Sequence, residues 1–317
     1  MDITDKKILS ILDENARLPS SLIAKKLKTS RQVVEYRIDK LQKEGIILNF
    51  TALIDPTKFY DNIWHIYLKL QNLTTQSEQQ ILDYLNKKKE VWWIAKCQGE
   101  WDLIFSVVGN DITEFDNVLT NFKSLFHKYI NQQYTTSLIK VFLFQRAYFL
   151  NKQTKKQVYI GERKHTKIDK RDLDILKHLT TDARMPATQI AQKTKLSARQ
   201  VIYRIRELEK KEIIRAYKLH LNCNKFNYDY YKVFFYTQDF TEQQEKSLLS
   251  WCETNSNVLY YVKKIAPWTF EIEFETESYK QLNEILKELR NKFGNVIKRT
   301  EITLITEEMK GEMNFLN

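Results

Sequence analysis

Cysteine, glycine and proline are scarce, at three, six and four among 317 residues. Cys97, Cys223 and Cys252 are scattered and odd in number. They make neither a disulfide framework nor a metal-ligand spacing, and fit a reducing cytoplasm. No nucleotide-binding loop, metal-ligating cluster or Ser/His/Asp arrangement is evident, so no catalytic residue, metal or cofactor is expected. No run of about 18 apolar residues exists, which argues against a membrane span. The opening MDITDKKILSILDEN has early acids and no apolar core, unlike a secretory signal. What is present is 43% hydrophobic and 13% aromatic residues, ample for packed cores and against global disorder.

One stretch occurs twice. DENARLPSSLIAKKLKTSRQVVEYRIDKLQKEGII, from Asp13 to Ile47, returns as TDARMPATQIAQKTKLSARQVIYRIRELEKKEII, ending at Ile214. An offset of 167 residues, without a gap, carries Arg17 onto Arg184, Pro19 onto Pro186, Ser30 onto Ser197, Tyr36 onto Tyr203 and Arg37 onto Arg204. Solenoid units run to roughly 20–50 residues, so this is a duplicated domain pair. Length suggests two to four domains, and the repeat favours four, arranged small, large, small, large.

The net charge of +11 is unevenly spread. Counting basic minus acidic residues, segments 1–60, 61–150, 151–227 and 228–317 carry +3, 0, +12 and −4. Positive charge thus sits on the small units and on the stretch between the halves. That pattern points to a polyanion bound by the small units, in preference to a merely solubilising surface.

Each small unit reads as three helices and a strand. Thr4–Asn15 is amphipathic, with Thr4 as the expected cap. Pro19-Ser20 starts a second helix burying Leu22, Ile23 and Leu27. Ser30 caps a third, Arg31–Glu44, whose Val34, Ile38 and Leu41 face inward. Gly45 supplies a positive-φ end, which Glu212 replaces in the second copy. This is a helix-turn-helix with the third helix in the major groove of double-stranded DNA. The expected DNA-binding residues are Ser30, Arg31, Gln32, Tyr36, Arg37 and Lys40, and in the second copy Ser197, Arg199, Gln200, Tyr203, Arg204 and Arg206. Arg and Gln reach base edges, Tyr reaches a phosphate or a thymine methyl, and a capped helix start holds a phosphate.

From Trp64 the pattern becomes strand, helix, strand, strand, helix, strand, with a hairpin at Gly99-Glu100. Its helix at Ile112–Lys128 should bury Ile112, Phe115, Val118, Leu119, Phe122, Leu125 and Phe126. The βαββαβ order is ferredoxin-like. Its aromatic sheet face needs a cover, and the second copy, from Tyr231 to Ile305, is the natural one. The expected fold is α+β: helix-turn-helix domains at 1–58 and 169–226, ferredoxin-like domains at 61–150 and 228–317, and a basic linker at 151–168.

Helix-turn-helix followed by βαββαβ resembles the Lrp/AsnC (feast/famine) family of transcription regulators. The likeness is carried by Asp5–Arg17, Ile23–Leu27, Ser30–Ile47 and G-x-W-D at Gly99–Asp102. It spans nearly the whole first half and, more weakly, the second. It implies that the sheet domains pair, within the chain or in a homo-oligomer, and bind an amino-acid-like effector. The effector region would then include Gly99, Trp101 and Asp102. In the second copy Ala266, Pro267 and Thr269 stand at the places of Gly99, Glu100 and Asp102, which removes an N–H and the acid. Members mostly carry one copy, so two sheet domains of one chain are expected to imitate the usual dimer. Two rivals remain. Siroheme decarboxylases also look like this family, and His65, His127 and Arg146 would be the candidate residues. The other rival is a ligand- or partner-binding module without DNA binding.

Overall fold

A computed structural model describes residues 1–150, 157–161 and 164–310. The first head has helices α1 (Ile3–Glu14), α2 (Ser20–Leu27) and α3 (Arg31–Lys43), then strand β1 (Ile47–Ile54). The cap of α1 is Asp2, not Thr4. Its carboxylate accepts from the Thr4 and Asp5 N–H groups, and Asp5 accepts in return from the Asp2 N–H. An ionised carboxylate complements the positive helix start better than a hydroxyl. Helix α2 buries Ile23 and Ala24, whereas Leu22 lies off that face and is exposed. Helix α3, capped by Ser30, buries Val34, Ile38 and Leu41, as the spacing predicts.

The first sheet domain contributes β2 (Asn62–Leu70), α4 (Thr75–Lys87), β3 (Val91–Gly99), β4 (Leu103–Gly109), α5 (Ile112–Phe126) and β5 (Ile130–Phe144). Of the apolar face expected on α5, Phe115, Phe122 and Phe126 are buried, while Ile112 and Leu125 are exposed. The basic stretch expected as a linker at 151–168 lies partly outside the described residues. Its part Gln157–Ile160 forms β6, which pairs with β5. The local QVYI holds two β-branched residues and a tyrosine, which suits a strand more than a free tether.

The second half repeats the order: α6 (Lys170–Thr181), α7 (Ala187–Thr194), α8 (Ala198–Lys210), β7 (Ile214–Leu221), then β8 (Asp229–Thr237), α9 (Glu242–Thr254), β9 (Val258–Ile265), β10 (Phe270–Thr276), α10 (Tyr279–Phe293) and β11 (Ile297–Lys310).

The two sheets close on each other. Within the first half the strand order is β3-β4-β2-β5, and within the second β9-β10-β8-β11. Strand β3 pairs with β11, and β5 pairs with β9, both antiparallel. The eight strands therefore form one ring, which leaves neither domain an open sheet edge at these junctions. The long strands make this closure. β5 pairs with β2 through its first half and with β9 through its second, and β11 does the same with β8 and β3. Strand alternation sorts the side chains. Trp64, Ile66 and Leu68 pack outward under α4 and α5. Val233, Phe235 and Phe274 do so under α9 and α10. Tyr67, Trp101, Phe234 and Trp268 meet in the junction between the halves.

Candidate nucleic-acid interface and effector region

Strands β1 and β7 pair antiparallel, with Phe50 opposite Leu219 and Ala52 opposite Tyr217, so the two wings form one ribbon. Contacts around the ribbon come in pairs related by the repeat. The Ala16 N–H donates to the Tyr217 carbonyl at 3.0 Å, and the Ala183 N–H to the Phe50 carbonyl at 2.7 Å. Arg17 donates to the carbonyls of Ala183 and Met185 and lies 5.7 Å from the Tyr217 ring centre. Arg184 donates to the carbonyls of Ala16 and Leu18, at 2.8 and 2.9 Å, and lies 5.3 Å from the Phe50 ring centre. Residue i meets residue j and j meets i, as in a two-fold dimer. Here both partners are on one chain.

The ribbon holds α3 and α8 with their outer faces free of the core. On α3, Arg31, Gln32, Tyr36 and Lys40 are exposed. Arg31 pairs with Glu35 at 2.7 Å and Lys40 with Glu44 at 3.7 Å, both open to solvent and therefore weak. On α8, Arg199, Gln200, Tyr203 and Arg206 are exposed. Ser30 and Ser197 both cap, accepting from the N–H groups of Val33 and Gln200 at 3.2 Å. The Gln200 side chain accepts from the Ser197 N–H at 2.8 Å, closing a capping box that α3 lacks.

Arg37 and Arg204 are placed differently from the other ten. Arg37 Nη1 lies 2.7 Å from carboxylate oxygens of both Asp2 and Asp5. Arg204 Nη1 lies 2.9 Å from Asp169 and 2.7 Å from Asp172. Each guanidinium ties its third helix to the capping box of its first. The bond to Arg37 holds the Asp2 carboxyl down to about 2, and the carboxylates raise both arginines further. Sequence reasoning missed these clamps and the Arg17/Arg184 exchange. The signal was present in the matched positions of the repeat, but not the contacts.

The hairpin residues of the effector expectation are each committed to the fold. Gly99 has φ +121°, and a Cβ there would sit 2.7 Å from the Ile302 carbonyl of β11. Trp101 is fully buried, 5.8 Å from Tyr67 and 5.4 Å from Tyr134 between ring centres. Asp102 accepts from the Leu70 N–H at 2.8 Å and from Lys69 Nζ at 3.0 Å. In the second half Thr269 takes over that clamp, its hydroxyl accepting from the Thr237 N–H at 3.2 Å. A cavity of about 310 Å³ lies against the first hairpin, lined by Leu70, Glu78, Leu82, Cys97 and Asp102.

The three residues of the decarboxylase alternative are dispersed. His65 is buried on β2, and His127 is exposed in the turn after α5. Arg146 is buried against Asp13 and Glu275 at 2.8 and 2.7 Å. Among the described residues no cluster suited to a metal ion occurs, and no helix is long and apolar enough to cross a membrane.

Residues 1–47 and 168–215 match the family model described as winged helix-turn-helix DNA-binding. The HTH-type transcriptional regulator LysM of Saccharolobus solfataricus is 31% identical over 125 residues, covering 39% of this chain and 85% of LysM. The HTH-type transcriptional regulator FL11 of Pyrococcus horikoshii is 28% identical over 120 residues, covering 38% of this chain and 78% of FL11. The crystal structure of the siroheme decarboxylase NirDL superposes with a TM-score of 0.62 over 97% of this chain and 92% of that one, at 13% identity. That likeness extends to the fold alone.

Proposed function

The chain belongs to the Lrp/AsnC family of DNA-binding transcription regulators, and from that premise we propose that one chain presents two unequal heads to a single asymmetric duplex site. The observation that supports this most is the shared ribbon with its reciprocal Arg17 and Arg184 contacts, which fixes the separation of α3 and α8. Arg31, Gln32, Tyr36 and Lys40 form one reading face, and Arg199, Tyr203 and Arg206 the other, with Gln200 partly drawn into its own cap. Ser30 and Ser197 mark helix starts suited to a phosphate. Arg37 and Arg204 act one step back, by holding the heads in shape. Binding is tested by fluorescence anisotropy on duplexes recovered from sheared genomic DNA. Affinity should fall steeply with salt, because phosphate contacts release counterions. Tyr36→Ala and Arg199→Ala should each weaken binding by about tenfold, the weight of one good contact. Parental binding in both variants would remove α3 and α8 from the interface.

The paired sheet domains would sense an amino-acid-like effector in the 310 Å³ cavity at the first hairpin. Lys69 Nζ, already on Asp102, occupies the kind of place a ligand amine would take. Calorimetry of Asp102→Asn with amino acids tests this, and unaltered binding would discard it. The proposed compartment is the cytoplasm. The decarboxylase reading is favoured by overall shape, and opposed by the dispersal of His65, His127 and Arg146. Incubation with siroheme should release no carbon dioxide, and release would reinstate that reading.

A further inference from the structure

The interior of the strand ring differs between its halves. In the second half Lys232 on β8 stands opposite Glu273 on β10, and the two form an ion pair. Glu271 joins them, 3.0 Å from Lys232 and 3.1 Å from Lys264. It also accepts from the Tyr67 hydroxyl at 2.6 Å and from the Trp268 indole at 2.8 Å. Two ammonium groups and two carboxylates, all buried, thus balance one another. The repeat offset carries Lys232 onto His65 and Glu273 onto Ser106, and these stand opposite each other on β2 and β4 in the same way. The ion pair of one half is a His/Ser pair in the other.

That second pair is left open. His65 is 8% exposed and Ser106 fully buried, yet neither His65 Nδ1 nor Ser106 Oγ has a hydrogen-bond partner among the described residues. Buried polar groups without a partner are costly and call for an occupant. Both residues line a cavity of about 40 Å³, together with Lys232, Lys264 and Glu273, the aromatic Trp92, Trp93 and Tyr260, and aliphatic side chains that include Leu138, Val141 and Val262. The space suits a few water-sized groups. Burial, and then the positive charge of Lys264 and Lys232, push the His65 imidazole well below its ordinary value, so it is neutral. A charged guest would find no counter-charge, since the lysines and glutamates already pair. A guest must therefore be uncharged, and its head must match Ser106, which gives or takes a hydrogen bond, and His65, which does one or the other by tautomer.

We infer that this cavity is a binding site for a compact uncharged molecule of roughly four or five non-hydrogen atoms, with a donor–acceptor head and a short aliphatic part, such as a primary amide or alcohol. The site is distinct from the hairpin cavity at Asp102. Its walls come from strands of both halves, so an occupant touches the pairing itself.

The test uses the full chain with nitrogen-15-labelled histidine, the His65 signal being identified by its loss in His65→Gln. Propionamide and 1-propanol are titrated, with propionate as the charged isostere. The expected result is a saturable shift of the His65 signal with the amide or the alcohol, and none with propionate. Ser106→Ala, checked for an unchanged melt, should weaken the response by about tenfold, the worth of one hydrogen bond. Val141→Phe, which fills the space, should abolish it. A His65 signal unmoved by either guest, moved equally by propionate, or moved as strongly in both variants would overturn the inference and leave a cavity holding water only.

Discussion

Arg37 and Arg204 show how a residue on a helix proposed to read DNA is committed first to the protein's own fold. Asp5 is only 3% exposed at its side chain, and Arg37, itself 25% exposed, is its counter-charge. Arg37→Ala should destabilise the protein by about 1–3 kcal/mol, the cost of leaving a largely buried carboxylate unpaired. Arg204→Ala should cost less, because Asp172 is more open, at 13%. Denaturant melts measure both. The preferred DNA sequence should stay the same in each variant, since the guanidinium groups face Asp2, Asp5, Asp169 and Asp172. Residue type alone named these arginines as DNA contacts. Their carboxylate partners within the protein lie 32 to 35 residues away, a separation that local pattern does not encode.

At the scale of the element most of the fold was legible. The caps Ser30 and Ser197, the inward Val34, Ile38 and Leu41, and the βαββαβ order all follow from spacing. The end of the third helix follows too in the first copy, whereas in the second the loss of glycine suggests a lost positive φ that the structure nonetheless keeps. Gly45 takes φ +69°, and Glu212, lacking glycine's freedom, still takes φ +57°, with ion pairs to Arg215 and Lys58 beside it. Element ends and surface apolar residues were less legible. Leu22, Ile112 and Leu125 are apolar but exposed, because hydrophobicity without the exact helical phase does not say which face is covered. The Gly99 turn is an element that serves its neighbour. Gly99→Ala should destabilise by about 1–3 kcal/mol, through its positive φ and its clash with the β11 backbone. A thermal melt showing no loss would mean that β11 yields at that point.

For the whole molecule the question is how heads and ring act as one body. Arg146 follows β5 and joins Asp13 of the first head to Glu275 of the second sheet domain. Its backbone N–H also donates to Asp13 at 2.8 Å. The repeat does not reproduce this knot, since Thr180 stands at the place of Asp13 and Val108 at that of Glu275. Arg146→Met should cost about 3–5 kcal/mol by removing the guanidinium that both buried carboxylates share, and limited proteolysis should then release the heads from the ring earlier than in the parent. No change in either would show that the ribbon alone holds the heads. Such long-range pairing, and the asymmetry within it, was the least legible part of the sequence, because a repeat states what is alike and not what touches. The central claim is that one chain does the work of a two-fold dimer with unlike heads. Its most direct test is selection of randomised duplex DNA by the purified chain at near-physiological salt, followed by sequencing. The account predicts a motif of two unlike half-sites at fixed spacing. A palindrome would contradict it, since two chains would then be presenting the same head.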